Sequence, residues 1–460
     1  MSRAGRIGAQ SDHEVRSVVA DIGWPAIGAD ATAHLQALLF QMERSQWLPP
    51  EKLLERQLGQ LKFLLRHAQS TVPHYAETLR GRDIDGLGWA AFRALPILTR
   101  KGLQTGFDAL KSDALPPGHG AVAEGKSSGS TGMPVRFLQT AVTQFFWNAL
   151  TLREHLWQER DFTGKLAAIR IKVEEGRWPD WGLPAAAVFR TGPGATLNVR
   201  TDVGKQLDWL LREDPDYLIT HASNLQALAE MSLKRGIRLP RLRQARSYSE
   251  ALRPDLRERV REAWGVEVAD GYSCEEAGNI ALQCPNHEHY HVQAENLLVE
   301  ILDEASKPCK PGETGRVVIT TLHNFAMPLI RYEVGDYAEV GEPCDCGRGL
   351  PVLTRIHGRR RNMIELPDGR RHWPSMPASM WRAVAPIEQF QVTQVEIGSL
   401  DVSYVLGRPL THEETLRLEK SLAERLGYHF RIRWAKVDAI ARGAGGKYED
   451  FVSKLFSNGE

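Results

Sequence analysis

Lys126-Ser127-Ser128-Gly129-Ser130-Thr131-Gly132-Met133-Pro134-Val135 is a run of hydroxyl side chains and glycines closed by a proline and a β-branched residue. Glycines admit positive φ and leave backbone N–H groups uncovered. Successive N–H groups can form an anion-binding nest. The hydroxyls of Ser127, Ser128, Ser130 and Thr131 can donate to phosphate oxygens. The plainer alternative is a flexible Ser/Gly linker. The overlapping stretch Gly120 to Ser127 also fits G-x-x-x-x-G-K-[ST] letter for letter. That pattern cradles phosphate when a strand leads into it and a helix follows at once. Here Leu115-Pro116-Pro117-Gly118-His119-Gly120 makes a poor strand, and Gly129, Gly132 and Pro134 oppose a helix. The loop is therefore read as a phosphate grip outside the P-loop class.

On its N-terminal side, residues 1–45 are weakly patterned. From Pro50, Leu53, Leu54, Leu58, Leu61, Leu64, Leu65 and Ala68 recur at three- and four-residue steps, which predicts a helix ended at Pro73. On its C-terminal side a second helix is expected from about Phe145 to Trp157. Its apolar triplet Phe145-Phe146-Trp147 is read as core. Strands are expected at Leu166–Ile171, Tyr217–Ile219 and Val266–Val268, with helices at Asn224–Arg235 and Pro254–Trp264 between them. This alternation predicts α/β with a largely parallel sheet. Leu297–Leu302 and Gly315–Leu322, joined through the turn Pro311-Gly312-Glu313, predict a small antiparallel β region. A polar, arginine-rich stretch, Arg355 to Arg361, then leads to a small α+β unit. Its strands are expected near 389–397, 401–406 and 429–437 and its helix near 412–426. The expected division is an extension over 1–45, a large domain over 46–357 and a small mobile domain over 358–460.

Lys and Arg number 58 against 57 Asp and Glu, so the net charge of +1 gives no general pull towards nucleic acid or an anionic membrane. No apolar run approaches the roughly 20 residues that span a bilayer, and the first residues lack the apolar core of a secretory signal. A cytoplasmic protein is expected. Five cysteines in a chain of this length favour metal binding or free thiols over a disulfide framework.

The order of motifs after the loop resembles the adenylate-forming superfamily, in particular its phenylacetate–CoA ligase-like branch. Ser127-Ser128-Gly129-Ser130-Thr131-Gly132-Met133-Pro134 is similar to the branch's phosphate loop. Ser249-Glu250-Ala251 stands where a short segment lines the adenine pocket. Asp270-Gly271-Tyr272-Ser273-Cys274-Glu275-Glu276 resembles the Y-G-x-[ST]-E motif, with Ser273 for the usual glycine and Glu275 for the usual hydroxyl residue. Arg331-Tyr332-Glu333-Val334-Gly335-Asp336 resembles R-Y-x-T-G-D, with Val334 for threonine. Gly358-Arg359-Arg360-Arg361-Asn362 resembles the hinge motif, with Asn362 for aspartate, and Gly446-Lys447 resembles the late lysine.

The resemblance implies an enzyme that joins a small-molecule carboxylic acid, possible aromatic acids included, to the α-phosphate of ATP, releasing pyrophosphate. It implies that Glu276 helps hold Mg²⁺ and that Lys447 and Thr131 act in catalysis. Asp336 suits a ribose clamp, because a carboxylate accepts from two hydroxyls. Tyr272 offers a ring face to adenine, Gly271 belongs to the same pocket, and Arg359 lies near ribose or phosphate. CoA is the expected acyl acceptor, with an amine, an alcohol or a carrier-protein thiol as alternatives. A homodimer is compatible with the resemblance. A non-catalytic, zinc-stapled nucleotide-binding protein is the competing class. Cys284, Cys344 and Cys346 with one histidine would make a closed tetrahedral zinc site. The resemblance selects His291, with His289 as the alternative, and the expected role is structural.

Overall fold

The computed structural model describes residues 13–127, 134–440 and 448–456. Strands β1 (Val122–Lys126) and β2 (Arg136–Thr140) pair antiparallel, from Val122 opposite Thr140 to Lys126 opposite Arg136. Val135 N–H donates to Ser127 Oγ (2.9 Å) and Ser127 N–H to the Val135 carbonyl (2.9 Å), closing the base of a hairpin. Gly125 is required there, since a Cβ would lie 2.4 Å from the Phe137 ring. Most of the P-loop-like stretch is thus a β-strand in a hairpin, and a strand–loop–helix arrangement is excluded. Residues 128–133, with Ser128, Gly129, Ser130, Thr131 and Gly132, lie outside the described residues.

The helix Ala141–Trp157 starts directly after β2. Thr140 and Thr143 form a reciprocal capping box, each side chain accepting from the other's backbone N–H. This cap sets the start four residues before the expected Phe145. Six strands follow: β3 (Leu166–Arg170), β4 (Gly176–Trp178), β5 (Gly194–Asn198), β6 (Tyr217–His221), β7 (Gln244–Tyr248) and β8 (Glu267–Ala269). Their order is β4-β5-β3-β6-β7-β8, parallel except for β4 at one edge. Helices Val203–Glu213, Ala222–Arg235 and Pro254–Trp264 pack apolar faces against it, and Ile169, Leu210, Leu218, Leu225 and Val260 are buried in that core.

Strands β9 (Gly271–Cys274), β10 (Gly278–Gln283), β11 (Tyr290–Val292), β12 (Leu297–Leu302), β13 (Thr314–Thr321), β14 (Tyr332–Val340) and β15 (Val352–Arg359) form a seven-stranded antiparallel sheet. The expected antiparallel β region is present, and it is larger than expected. Most of the arginine-rich stretch Arg355 to Arg361 belongs to a full strand, Val352–Arg359, which pairs with β14 and turns Arg359 towards Asp336. The helix Pro50–Thr71 lays Leu61, Leu64, Leu65 and Ala68 into the core of this sheet.

The N-terminal extension is more ordered than its weak pattern indicated. Asp30–Ser45 is a helix, and Leu35 and Met42 pack with Ala149, Leu150 and Leu152. In the C-terminal part, strands Gln389–Glu396, Ser399–Val405, Arg431–Lys436 and Phe451–Ser453 form a four-stranded sheet. Helix His412–Leu426 buries Leu418, Leu422 and Leu426 against it. Among the described residues no helix is long and apolar enough to cross a membrane.

Candidate active site

In a parallel sheet a crevice opens outside the carboxyl ends of the strands, where consecutive connections leave in opposite directions. Here that switch falls at β3, which has β5 on one side and β6 on the other. A cavity of about 1050 Å³ occupies this position. The carboxyl ends of β3, β6 and β7 contribute Arg170, Ala222 and Tyr248, and one face of the Ala141–Trp157 helix covers it with Trp147, Thr151 and His155.

The cavity gathers the sequence-predicted residues that are described: Ser127, Ser249, Glu250, Ala251, Gly271, Tyr272, Glu276, Asp336 and Arg359 all line it. Asp336 and Arg359 face each other as partners on β14 and β15. Arg359 Nε stands 3.2 Å from one Asp336 oxygen, and Tyr272 Oη donates to the other at 2.9 Å. Burial pushes the Tyr272 hydroxyl far up, and the Asp336 charge adds to the shift, so Tyr272 stays a neutral donor. Its hydroxyl is thereby tied to the carboxylate, which fixes the ring beside Gly271.

Glu276 follows β9 and is 5% exposed. Its carboxylate lies 3.5 Å from Arg100 Nη1, and Arg100 Nη2 donates to Ser127 Oγ at 3.1 Å. Arg100 therefore bridges the phosphate hairpin and Glu276, a role the sequence reading missed. Its only signal was a cation just after the Leu98-Thr99 step, which a helix start explains equally well. Trp147, read as core, instead closes over Gly278. That residue has φ +81°, and a Cβ there would lie 3.1 Å from the indole, so the close approach needs glycine.

Glu250 accepts from Ser223 N–H (2.7 Å), Ser223 Oγ (3.1 Å) and Tyr448 N–H (3.2 Å). Arg253 pairs with Asp450. The C-terminal segment therefore reaches the cavity mouth, where Tyr448, Glu449 and Asp450 line it. Lys447 lies outside the described residues. Asn362 donates to the Phe451 carbonyl at 2.8 Å and Arg361 to Glu449 at 2.6 Å.

Some distance along the same large sheet, Cys284, His289, His291 and Cys344 bring ligand atoms within 4.8 Å of one another. Cys284 and Cys344 sulfurs are 3.9 Å apart, and Cys346 Sγ is 3.4 Å from His291 Nε2. The first distance far exceeds a disulfide bond of about 2.05 Å. Two thiolates each about 2.3 Å from one tetrahedral zinc stand about 3.8 Å apart, and a thiolate and an imidazole about 3.5 Å apart. Both observed distances match. His289 Nε2 and His291 Nδ1 are buried without a hydrogen-bond partner. Both histidines converge on the thiols, and His291 makes the sulfur contact.

No protein-family model matches the chain. A phenylacetate–coenzyme A ligase of Thermus thermophilus is 25% identical over 390 residues, covering 79% of this chain and 83% of that protein. One of Aromatoleum evansii is 25% identical over 351 residues, covering 68% and 72%. Among solved structures, 2-hydroxyisobutyryl-CoA ligase in the postadenylation state, in complex with R3-HIB-AMP, superposes with a TM-score of 0.70. It is 16% identical and covers 90% of this chain and 92% of that one. The chain is thus similar to phenylacetate–CoA ligases along most of its length, and it shares the fold of 2-hydroxyisobutyryl-CoA ligase.

Proposed function

We propose that the protein activates a carboxylic acid as its acyl-AMP and passes the acyl group to CoA. One observation carries the reading: a phosphate-loop hairpin, a buried carboxylate and a ribose-type carboxylate clamp open into one cavity at the switch point of a parallel sheet. In the first step an acid oxygen bonds to the α-phosphorus as the bond to pyrophosphate breaks. In the second the CoA sulfur, having given up its proton, bonds to the acyl carbon and AMP leaves.

Ser127, Ser128, Gly129, Ser130, Thr131 and Gly132 would grip the phosphates, with Thr131 nearest the chemistry. Ser249, Glu250, Ala251, Gly271 and Tyr272 would frame the adenine, and Asp336 would hold the ribose with Arg359 beside it. Glu276 fits Mg²⁺, since a single carboxylate beside substrate phosphates is how that ion is usually held. Bound there, Mg²⁺ neutralises charge on the phosphates. Arg100 supplies a second positive charge beside Ser127. Aromatic walls at Trp147, Trp181 and Tyr248 suit a ring-bearing acid. We assign the small domain to residues 358–460 and the large one to 46–357, with the pivot over Gly358 to Asn362. Gly358 has φ +83°, a conformation suited to a turning point. Cys284, His291, Cys344 and Cys346 would hold a structural zinc, on the donor distances above.

Trapping with hydroxylamine tests the central claim. Protein, ATP, Mg²⁺ and a panel of aliphatic and aromatic acids should yield a hydroxamate with at least one acid, and adding CoA should divert it to a thioester. No hydroxamate with any acid would overturn the adenylation reading. A hydroxamate whose yield ignores CoA would point to another acceptor. A second variant probes the clamp. Asp336→Ala removes two charge-assisted hydrogen bonds, each worth roughly 1.5–3 kcal/mol. The KM for ATP should rise about 10²- to 10⁴-fold, and an unchanged KM would remove Asp336 from the nucleotide site.

A further inference from the structure

We propose that the acid this enzyme activates carries a second anionic group, of the carboxylate class, held at the floor of the cavity by Arg246 and Arg170. The inference rests on the acid-activating reading above and names its substrate class.

The floor lies where β3 and β7 end beneath the Ala141–Trp157 helix. Arg246 on β7 lines the cavity, and its side chain is 12% exposed. Its Nε is 3.3 Å from Glu154 Oε2. Glu154 is already committed, because Arg160 donates to both its oxygens at 2.7 Å. Neither Nη of Arg246 makes a hydrogen bond among the described residues. Asp270, the other nearby carboxylate, accepts from Ser247 Oγ (2.5 Å) and Tyr290 Oη (2.6 Å). Arg170 at the end of β3 lies over the Tyr248 ring at 5.4 Å and has no carboxylate partner among the described residues. Arg257 also faces Asp270 but is spent on the Val268 carbonyl, Gln283 and Glu288. The floor thus sets Arg160, Arg170 and Arg246 around Glu154 and Asp270, with Glu250 near the Tyr248 ring; Glu154 is taken up by Arg160, which leaves the Nη groups of Arg246 without a carboxylate hydrogen bond among the described residues.

His155 adds a donor. Its Nδ1 sits 2.9 Å from Arg160 Nη1, which can only donate, so Nδ1 accepts and the proton is on Nε2. Burial and then Arg160 lower its pKa to about 3, so the ring stays neutral. The His155 N–H and the free Nη groups of Arg246 therefore meet in the part of the cavity walled by Trp181 and Tyr248. Leaving the buried Arg246 guanidinium short of hydrogen-bond partners is unfavourable, and an anion on the substrate offsets that cost.

The helix sets the spacing. Trp147 touches Gly278, two residues beyond Glu276 and so beside the phosphate end, while Glu154 meets Arg246. Seven residues separate them, about 10 Å along the axis. That length suits two carboxylates at opposite ends of a ring or a medium chain.

Acid-dependent ATP–pyrophosphate exchange, run with matched pairs, tests the proposal: phenylacetate against 4-carboxyphenylacetate, and octanoate against suberate. The dianionic member of a pair should be favoured about 100-fold in kcat/KM, since a site built of donors rejects analogues lacking the acceptor. Arg246→Met should abolish or reverse that ratio, and Arg246→Lys should restore part of it. Arg170→Met, on a side chain open to the cavity, should lower the ratio where Arg246→Met fails to fold, as judged by thermal stabilisation with ATP. Equal or better exchange with the monocarboxylates, or a ratio that none of the variants moves, overturns this inference and leaves acid activation standing. No exchange with either member of any pair counts instead against the adenylation reading.

Discussion

Replacing Lys447 with alanine is expected to slow acid-dependent pyrophosphate release by about 10²- to 10³-fold, the usual loss when one positioned donor to a transition-state charge is removed. Negative charge gathers on the α-phosphate oxygens as the acid oxygen attacks. A lysine ammonium is a compact point charge that can meet it without bidentate geometry. The next residue, Tyr448, lines the cavity and donates its N–H to Glu250 at 3.2 Å, and Asp450 pairs with Arg253. The chain on the C-terminal side of Lys447 is thus anchored at the site. A loss of catalysis rather than of folding is expected, so the melting temperature should not move. Lys447→Arg should recover only part of the rate. Single-turnover pyrophosphate release measures this, and a variant as fast as the parent would place Lys447 outside the chemistry.

Removing the zinc proposed for the cysteine–histidine cluster should have the largest effect on stability. Chelation, or Cys344→Ser, is expected to lower the melting temperature by about 10 °C or more, since structural zinc contributes folding free energy directly. The cluster joins the turn between β10 and β11 to the loop between β14 and β15. Next to it, Arg348 donates to Gln46 at 2.8 Å and lies over the rings of Trp47 and Trp157. The staple therefore reaches both the link between the first two helices and the end of the cavity-covering helix. Elemental analysis should find about one zinc per chain. A zinc-free protein with an unchanged melting temperature would sink the assignment.

Much of the site was legible in the residues because its parts are local. A phosphate loop needs consecutive N–H groups and hydroxyls, and a carboxylate such as Asp336 sits in a short motif within one strand. A metal site needs cysteines in close sequence, as at Cys344 and Cys346. The helix Pro50–Thr71 and the parallel strands were equally legible, since helical and strand periodicities are local properties. The helix Asp30–Ser45 was not, because its few buried positions acquire meaning only against Leu150 and Leu152, more than a hundred residues on.

Which distant groups face one another was decided by tertiary structure alone. Arg100 reaches Ser127 and Glu276 from another element, and Trp147 leaves the core for the cavity because Gly278 lets it approach. Arg246 reads in sequence as an ordinary charge on a strand. Only the crossing of β7 beneath a helix whose Glu154 is already taken by Arg160 turns it into a cation short of hydrogen-bond partners at the floor. The sequence by itself thus determined the periodic helices and strands, and it offered Ser127 to Gly132 as the phosphate loop proposed above, of which Ser127 lines the cavity. The fold decided the shape and charge of the acid pocket, because electrostatic pairing depends on distance in space.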